Sequence, residues 1–253
     1  MKAEVQLVRE VLEGALAPAV ATSVLFEALD RWDRGIPANA GEVLELVRGP
    51  LSDALRSKLD EAAAGELTAT LEARLAHGAA HSAVLEPEVD LEVEIDLEDD
   101  LVSPFVDEDQ ELTTTTQMSA VSHPVSVLVV SGDRQFGARF TATLGEDRVH
   151  TLTVEDESAL RHATFSANPQ IVVVDATAPP RIPPAELAAA LRNLPDATLP
   201  VLWALETEYG RSTRELARES RTLFLERREG IEPLLDLILS RFRKRTSSLP
   251  PPA

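Results

Sequence analysis

The sequence predicts two folded parts: a doubly wound α/β domain with a five-stranded parallel sheet over residues 124–245, and a small all-α bundle over residues 1–82. Two short runs, Val125–Val130 and Gln170–Val174, are almost wholly apolar and β-branched, which favours strands buried on both faces of a parallel sheet. Strand-like and helix-like patterns alternate five times along this half of the chain, as is typical of doubly wound sheets.

The α/β part divides into elements with short connections. The predicted strands cover residues 126–130, 148–154, 170–174, 199–204 and 222–225. The helices are predicted to begin after Asp133, at Asp156 or Ser158, at Pro184, at Glu208 and at Ile231, and residues 246–253 are predicted to be a disordered tail. Asp133 is placed to cap the first helix, because a side-chain oxygen there accepts hydrogen bonds from the first helical N–H groups.

The N-terminal part shows helical periodicity from one end to the other. Its third helix is predicted to break at Gly49–Pro50, with the proline starting the next helix. His77 and His81 lie four residues apart and would share a helix face, as two metal ligands do. Because no third ligand is near them in the sequence, we favour histidines at an exposed helix end.

A highly acidic connector, residues 83–123, separates the two parts and is predicted to be a disordered linker. Thirteen acids and no Lys or Arg lie between Glu86 and Glu111, in a chain whose net charge is −19. Such charge repels phosphate backbones, so no nucleic-acid partner is expected. Within the connector, apolar residues alternate strictly with acids at Val89, Leu91, Val93 and Ile95. This pattern leaves two interpretations open, a solvated spacer or a motif that adds as a strand to a partner's sheet edge.

Composition narrows the class of protein further. The chain has no cysteine, which excludes disulfides and thiolate metal sites and fits a reducing cytoplasm. No run of residues is apolar enough to span a bilayer, and the N-terminal residues do not resemble a signal peptide, so we expect no membrane insertion. Arginine outnumbers lysine, and alanine and leucine are abundant, which indicates a bacterial genome of high GC content.

The two apolar runs resemble strands one and three of a response-regulator receiver (CheY-like) domain, with Asp175 at the phosphoacceptor position. In receivers, an acid pair after strand one holds Mg²⁺ beside that aspartate, and the metal offsets the repulsion between the carboxylate and the phosphoryl group. Ser131 and Gly132 occupy the acid-pair positions here, and Asp133 follows one residue later. The strand-four hydroxyl position falls on Leu205 or Glu206, with Thr207 just beyond. The strand-five lysine position falls on Arg227.

This resemblance implies a degenerate receiver, or pseudo-receiver, because only the nucleophile is clearly kept. We expect a signalling adaptor or scaffold of the two-component type, without catalysis or cofactor, that binds other proteins whether or not it is phosphorylated. Receivers bind partners through helix four, strand five and helix five, and the arginines on that face here are Arg211, Arg214, Arg218, Arg221, Arg227 and Arg228.

The alternative is a phosphorylation-dependent response regulator with the N-terminal bundle as its output domain. In that case Asp133 and Asp175 would hold Mg²⁺. In the adaptor, Asp175 is vestigial or only caps its own turn. DNA binding by the bundle is not favoured, because the bundle has no basic stripe for a recognition helix.

Overall fold

A computed structural model describes residues 3–82, 123–218 and 220–247. The N-terminal part is helical, as predicted. Its helices are α1 (Ala3–Ala15), α2 (Pro18–Trp32), α3 (Ala40–Leu46), α4 (Ser52–Lys58) and α5 (Glu61–Ser82). Leucines and valines from all five helices are buried together in one core. The connector, including Val89, Leu91, Val93 and Ile95, lies outside the described residues apart from its last residue, His123.

The predicted helix break at Gly49–Pro50 is wrong. The backbone stays helical from α3 to α4 through a π-helical turn, Val47–Leu51, that contains Pro50. A π turn is wider than an α turn and can accommodate a proline, which has no N–H to donate and whose ring crowds the preceding turn. Val47 and Leu51 are both fully buried, so core packing holds this turn in place.

The C-terminal part is an α/β domain with a five-stranded, all-parallel sheet, which confirms the predicted fold class at that level. The strands are β1 (Val125–Val130), β2 (Val149–Val154), β3 (Ile171–Asp175), β4 (Leu199–Trp203) and β5 (Leu223–Leu225). Their order across the sheet is β2-β1-β3-β4-β5. The helices are α6 (Gln135–Leu144), α7 (Glu157–Ala167), α8 (Pro184–Arg192), α9 (Glu208–Leu216) and α10 (Glu232–Ser247).

Two element boundaries differ from the prediction, and the first of them concerns the site. β3 includes Asp175, which is paired in register with Trp203 of β4, so the carboxylate belongs to the last strand position rather than to the loop. The last helix continues to Ser247, two residues into the predicted tail. Phe242 of this helix packs against the α/β core.

The two parts are in contact through α2, which packs against α6 and α10. Phe26 of α2 is 4% exposed and belongs to the α/β core, where its ring lies 5.2 Å from that of Phe140 and 5.9 Å from that of Phe136. Charged pairs surround this apolar contact. They join Asp30 to Arg139 at 3.0 Å, Glu13 to Arg148 at 2.7 Å and Lys58 to Glu232 at 2.7 Å. No sequence pattern indicated this interface.

Among the described helices, none is long and apolar enough to cross a membrane.

Candidate functional site

The strand order reverses between β1 and β3, and parallel α/β sheets bind their ligands at such a point, outside the carboxyl ends of the strands. Asp175 ends β3 at this place and is 1% exposed. Ser131 directly follows β1 and is fully buried. Because Val130 of β1 is in register with Val174 of β3, residues 131 and 175 are neighbours across the edge.

Hydrogen bonds occupy both carboxylate oxygens of Asp175. The Ser131 hydroxyl donates to Oδ2 at 2.8 Å. On Oδ1, the Thr177 hydroxyl donates at 2.6 Å and the Thr177 N–H at 2.9 Å. Burial raises the pKa of Asp175 above its ordinary value, while the hydrogen bonds from Thr177 and Ser131 act in the opposite direction. In the described part of the chain, no cationic side chain forms an ion pair with this carboxylate.

The loops after β1 and β3 touch at Gly132, one of the two residues that the resemblance to receivers aligns with the acid pair. Its N–H donates to the carbonyl of Ala178 at 2.8 Å. A Cβ atom at this residue would lie 2.7 Å from the carbonyl oxygen of Pro179, closer than real side chains approach a backbone. The loop after β3 therefore takes the space that an acidic side chain would need.

Asp133 is engaged in the start of α6 and in an ion pair. Its Oδ1 accepts a hydrogen bond of 2.8 Å from the N–H of Gln135. Its Oδ2 lies 2.8 Å from Nη1 of Arg139, a buried arginine that also contacts Asp30 of α2 at 3.0 Å. The backbone N–H of Asp133 donates to the Ser131 hydroxyl oxygen at 2.9 Å, which holds that hydroxyl in place.

The residues after β4 have structural contacts of their own. Leu205 is 6% exposed, and its N–H donates to the carbonyl of Leu225. The carboxylate of Glu206 accepts a hydrogen bond from the N–H of Arg227. Thr207 is the N-cap of α9, since its hydroxyl oxygen accepts from the N–H of Gly210 at 3.0 Å. Thr207 and Thr177 both line an open cleft of about 460 Å³.

Arg227 follows β5 and faces the N-terminal part. Its Nη2 lies 3.7 Å from Oδ2 of Asp30. Both residues line a cleft of about 250 Å³ that also contains Trp203 and Thr177. Helix α2 thus contributes a wall to the carboxyl edge of the sheet. Asp30 was missed in the sequence, because its partner Arg139 lies 109 residues away and no local pattern connects them.

The six arginines of the predicted partner face have different surroundings. Arg221 binds the backbone carbonyls of Leu194, Pro195 and Asp196, and Arg228 pairs with Glu226. Arg211, Arg214 and Arg218 are exposed, and no described carboxylate pairs with any of them. Arg214 lies over the ring of Phe224 with 5.6 Å between the guanidinium carbon and the ring centre.

Of the two histidines, only the side chain of His77 is described. Nδ1 of His77 lies 2.8 Å from the carbonyl oxygen of Ala73, within its own helix. No group of three or more His, Cys, Asp or Glu side chains that could hold a metal ion occurs in residues 3–82, 123–218 and 220–247.

Comparisons with protein-family models, with curated proteins and with solved structures find no match to this chain.

Proposed function

We propose that this protein is a signalling adaptor whose α/β domain is a pseudo-receiver, and that it acts by binding other proteins without phosphoryl transfer. The strand order β2-β1-β3-β4-β5 supports a flavodoxin-like or receiver-like fold, because that order is shared by flavodoxin and CheY. The main support for the proposal is that the Asp175 carboxylate is inaccessible to solvent and to ligands. Its two oxygens accept hydrogen bonds from Ser131 and Thr177, and the residue is 1% exposed.

A carboxylate nucleophile needs an oxygen that an incoming phosphorus atom can reach in line. At Asp175 the approach along Oδ2 is taken by the Ser131 hydroxyl, and the approach along Oδ1 by Thr177. The hydrogen bond between Gly132 and Ala178 holds the two flanking loops together beside it. An attack would require these contacts to break before any bond to phosphorus could form.

The residues present do not fit a bound Mg²⁺. Mg²⁺ needs near-octahedral oxygen ligands and is usually held by one or two accessible carboxylates plus waters. Asp175 is buried, residues 131 and 132 carry no carboxylate, and the Asp133 carboxylate pairs with Arg139. The guanidinium of Arg139 would also repel a divalent cation at that position.

The surface around α9 and β5 supports a role in protein binding. Leu216 and Leu223 are 46% and 40% exposed, which is unusual for large apolar side chains in this molecule. The exposed arginines 211, 214 and 218 lie on the same helix or just beyond it. Arginine beside exposed apolar side chains is a composition enriched in protein interfaces. The N-terminal helices cover α6 and α10 on the other side of the sheet, which leaves the α9 side open.

A magnesium titration of the full chain tests this proposal. Trp203 is in register with Asp175 and reports on the carboxyl edge, and a Trp32→Phe background removes the second tryptophan. We expect no saturable change of Trp203 fluorescence with millimolar Mg²⁺. A saturable change that Asp175→Asn abolishes would favour the alternative, a phosphorylation-dependent response regulator with a helical output domain.

A further inference from the structure

The outer edge of β2 has few of the features that keep strands from pairing. In the described part of the chain, β2 pairs with β1 over six consecutive residues and with no other strand, whereas β5, at the opposite edge, has three residues. Natural edge strands are often protected by charged side chains, by proline or by a bulge. β2 has the sequence Val-His-Thr-Leu-Thr-Val, without acid, lysine, arginine or proline, and its register with β1 is unbroken. This edge is therefore a template for a further strand.

Two residues of β2 direct their backbone groups away from the sheet. The carbonyl of Arg148 accepts a hydrogen bond from the N–H of Val125 at 2.9 Å, and the carbonyl of Val154 also accepts from the β1 side, at 3.1 Å. Backbone groups alternate in direction along a strand, so those of Thr151 and Thr153 point outward. An antiparallel strand added at this edge would therefore bind to Thr151 and Thr153.

We propose that β2 pairs antiparallel with β2 of a second copy of this chain, about a two-fold axis at Leu152. Thr151 then exchanges both N–H···O bonds with the partner's Thr153, and Thr153 does the same with the partner's Thr151. Leu152, which is 41% exposed, lies opposite the partner's Leu152 in a non-hydrogen-bonded pair, where side chains are closest. Pairing about this residue covers both exposed leucines and selects the register.

The charges beside this edge favour a second copy over a different protein. A cleft of about 370 Å³ between β2 and α6 is lined by Thr151 and Thr153, and also by Glu146 and Arg134. Glu146 comes shortly before β2, whereas Arg134 pairs with Glu155, which directly follows β2. The acid thus lies near the start of the strand and the cation near its end. An antiparallel copy brings each acid to the end that holds the cation, as a self-complementary two-fold interface requires.

The consequence is an adaptor with two binding surfaces. β2 and β5 are the opposite edges of the sheet, so pairing through β2 leaves α9 and β5 of each copy available. A partner that has two sites of its own would then bind the dimer with avidity. This consequence rests on the proposed function, whereas the dimer itself stands on the edge of β2 and the charges beside it.

Sedimentation equilibrium of the full chain tests the dimer. A strand edge is a small interface, so we expect a reversible dimer with a dissociation constant on the order of 10 μM. Leu152→Lys places like charges opposite each other and should raise this constant at least about tenfold. An equimolar mixture of Leu152→Lys and Leu152→Glu should dimerise again, which also shows that both variants fold. Leu216→Lys is the matched control, because that leucine is 46% exposed on α9, and it should leave the constant unchanged.

Disulfide cross-linking tests the register. The chain has no cysteine, so a Leu152→Cys variant contains a single thiol. Opposite residues of a non-hydrogen-bonded pair have Cα atoms about 4.5 Å apart, which a disulfide can span. Under mild oxidation at about 100 μM, where the dimer is the main species, we expect Leu152→Cys to form a covalent dimer at least about tenfold faster than Leu216→Cys.

Three results would overturn the proposal: a wild-type chain that stays monomeric at about 500 μM, a dimer whose affinity Leu152→Lys leaves unchanged, or cross-linking of Leu152→Cys that is no faster than that of Leu216→Cys. The first result would mean that the edge stays unpaired or is covered by another part of the chain. None of these experiments changes Asp175, so the proposed function is judged separately by its magnesium titration.

Discussion

The Ser131 hydroxyl donates a 2.8 Å hydrogen bond to the Asp175 carboxylate across the ends of β1 and β3. Two carboxylates in these positions would repel each other unless a cation lay between them. A hydroxyl is a donor and satisfies the aspartate directly. The Ser131 hydroxyl thus links the ends of β1 and β3 without a second carboxylate or a cation. It also occupies one oxygen of Asp175.

Removing this hydroxyl should destabilise the fold. Ser131→Ala leaves an oxygen of Asp175 and the N–H of Asp133 without their partner, which we expect to cost about 1–3 kcal/mol in the free energy of unfolding. Ser166→Ala, on the exposed side of α7, is the control and should change stability by less than about 0.5 kcal/mol. Urea denaturation measures both. Equal stabilities for the two variants would show that the buried hydrogen bond contributes little.

The buried carboxylate should make stability depend on pH. Burial raises the pKa of Asp175 above its ordinary 3.8, so the folded chain keeps this proton at pH values where the unfolded chain has lost it. Wild type therefore loses stability relative to Asp175→Asn as the pH rises from 3.8 to the folded pKa, with a slope of at most about 1.4 kcal/mol per pH unit. Urea denaturation of both proteins from about pH 4 to about pH 7 checks this. A stability difference that stays constant over the range would refute it.

The contact between the two edge loops should exclude side chains at residue 132. Gly132→Ala brings a methyl group within 2.7 Å of the Pro179 carbonyl, and we expect a loss of about 1–3 kcal/mol. Gly65→Ala is the control, because its Cβ meets no atom within 4 Å and a helical alanine should stabilise by about 0.5–1 kcal/mol.

For the same reason, Ser131→Asp combined with Gly132→Asp should fail to create a magnesium site. Isothermal calorimetry would detect any binding. Binding of Mg²⁺ with millimolar affinity or better would contradict this prediction, because the loop after β3 would have to move away from residue 132 to make room for the new side chain.

The contact between α2 and the α/β core should couple the unfolding of the two parts. Phe26→Ala removes a buried ring that touches Phe136 and Phe140, and we expect a loss of about 3–5 kcal/mol with a change in the cooperativity of the thermal transition. Phe165→Ala is a matched control, since that ring is 88% exposed and its loss should change stability by less than about 0.5 kcal/mol. Identical melting curves for the two variants would argue that the parts unfold independently.

Patterns within single elements predicted most of the fold. Mostly β-branched, apolar runs indicated β1 and β3, and helical periodicity indicated the N-terminal helices. The π turn at Pro50 was missed because the rule that proline breaks a helix ignores the buried Val47 and Leu51 on either side. A local rule cannot weigh packing against the loss of one hydrogen bond.

Several residues of the site could be predicted from the sequence, but the contacts among them could not. The sequence indicated Asp175, Ser131 and Gly132, because each lies at the end of a predicted strand or directly after it. It did not indicate Thr177, whose hydroxyl folds back on the aspartate, or Asp30, which reaches the edge from another part of the chain. Both depend on tertiary contacts that leave no periodic trace in the sequence.

Incubation of the full chain with a small phosphodonor such as acetyl phosphate, at millimolar Mg²⁺ and with intact-mass detection, tests the central claim most directly. A receiver domain with an intact acid pair serves as the positive control. We expect no phosphorylated species, because Asp175 is buried, its oxygens accept hydrogen bonds, and residues 131 and 132 offer no carboxylate that could help to hold a Mg²⁺ ion against the charge of an incoming phosphoryl group. A stable acyl phosphate on the wild-type chain that is absent from Asp175→Asn would contradict the account and identify a working response regulator.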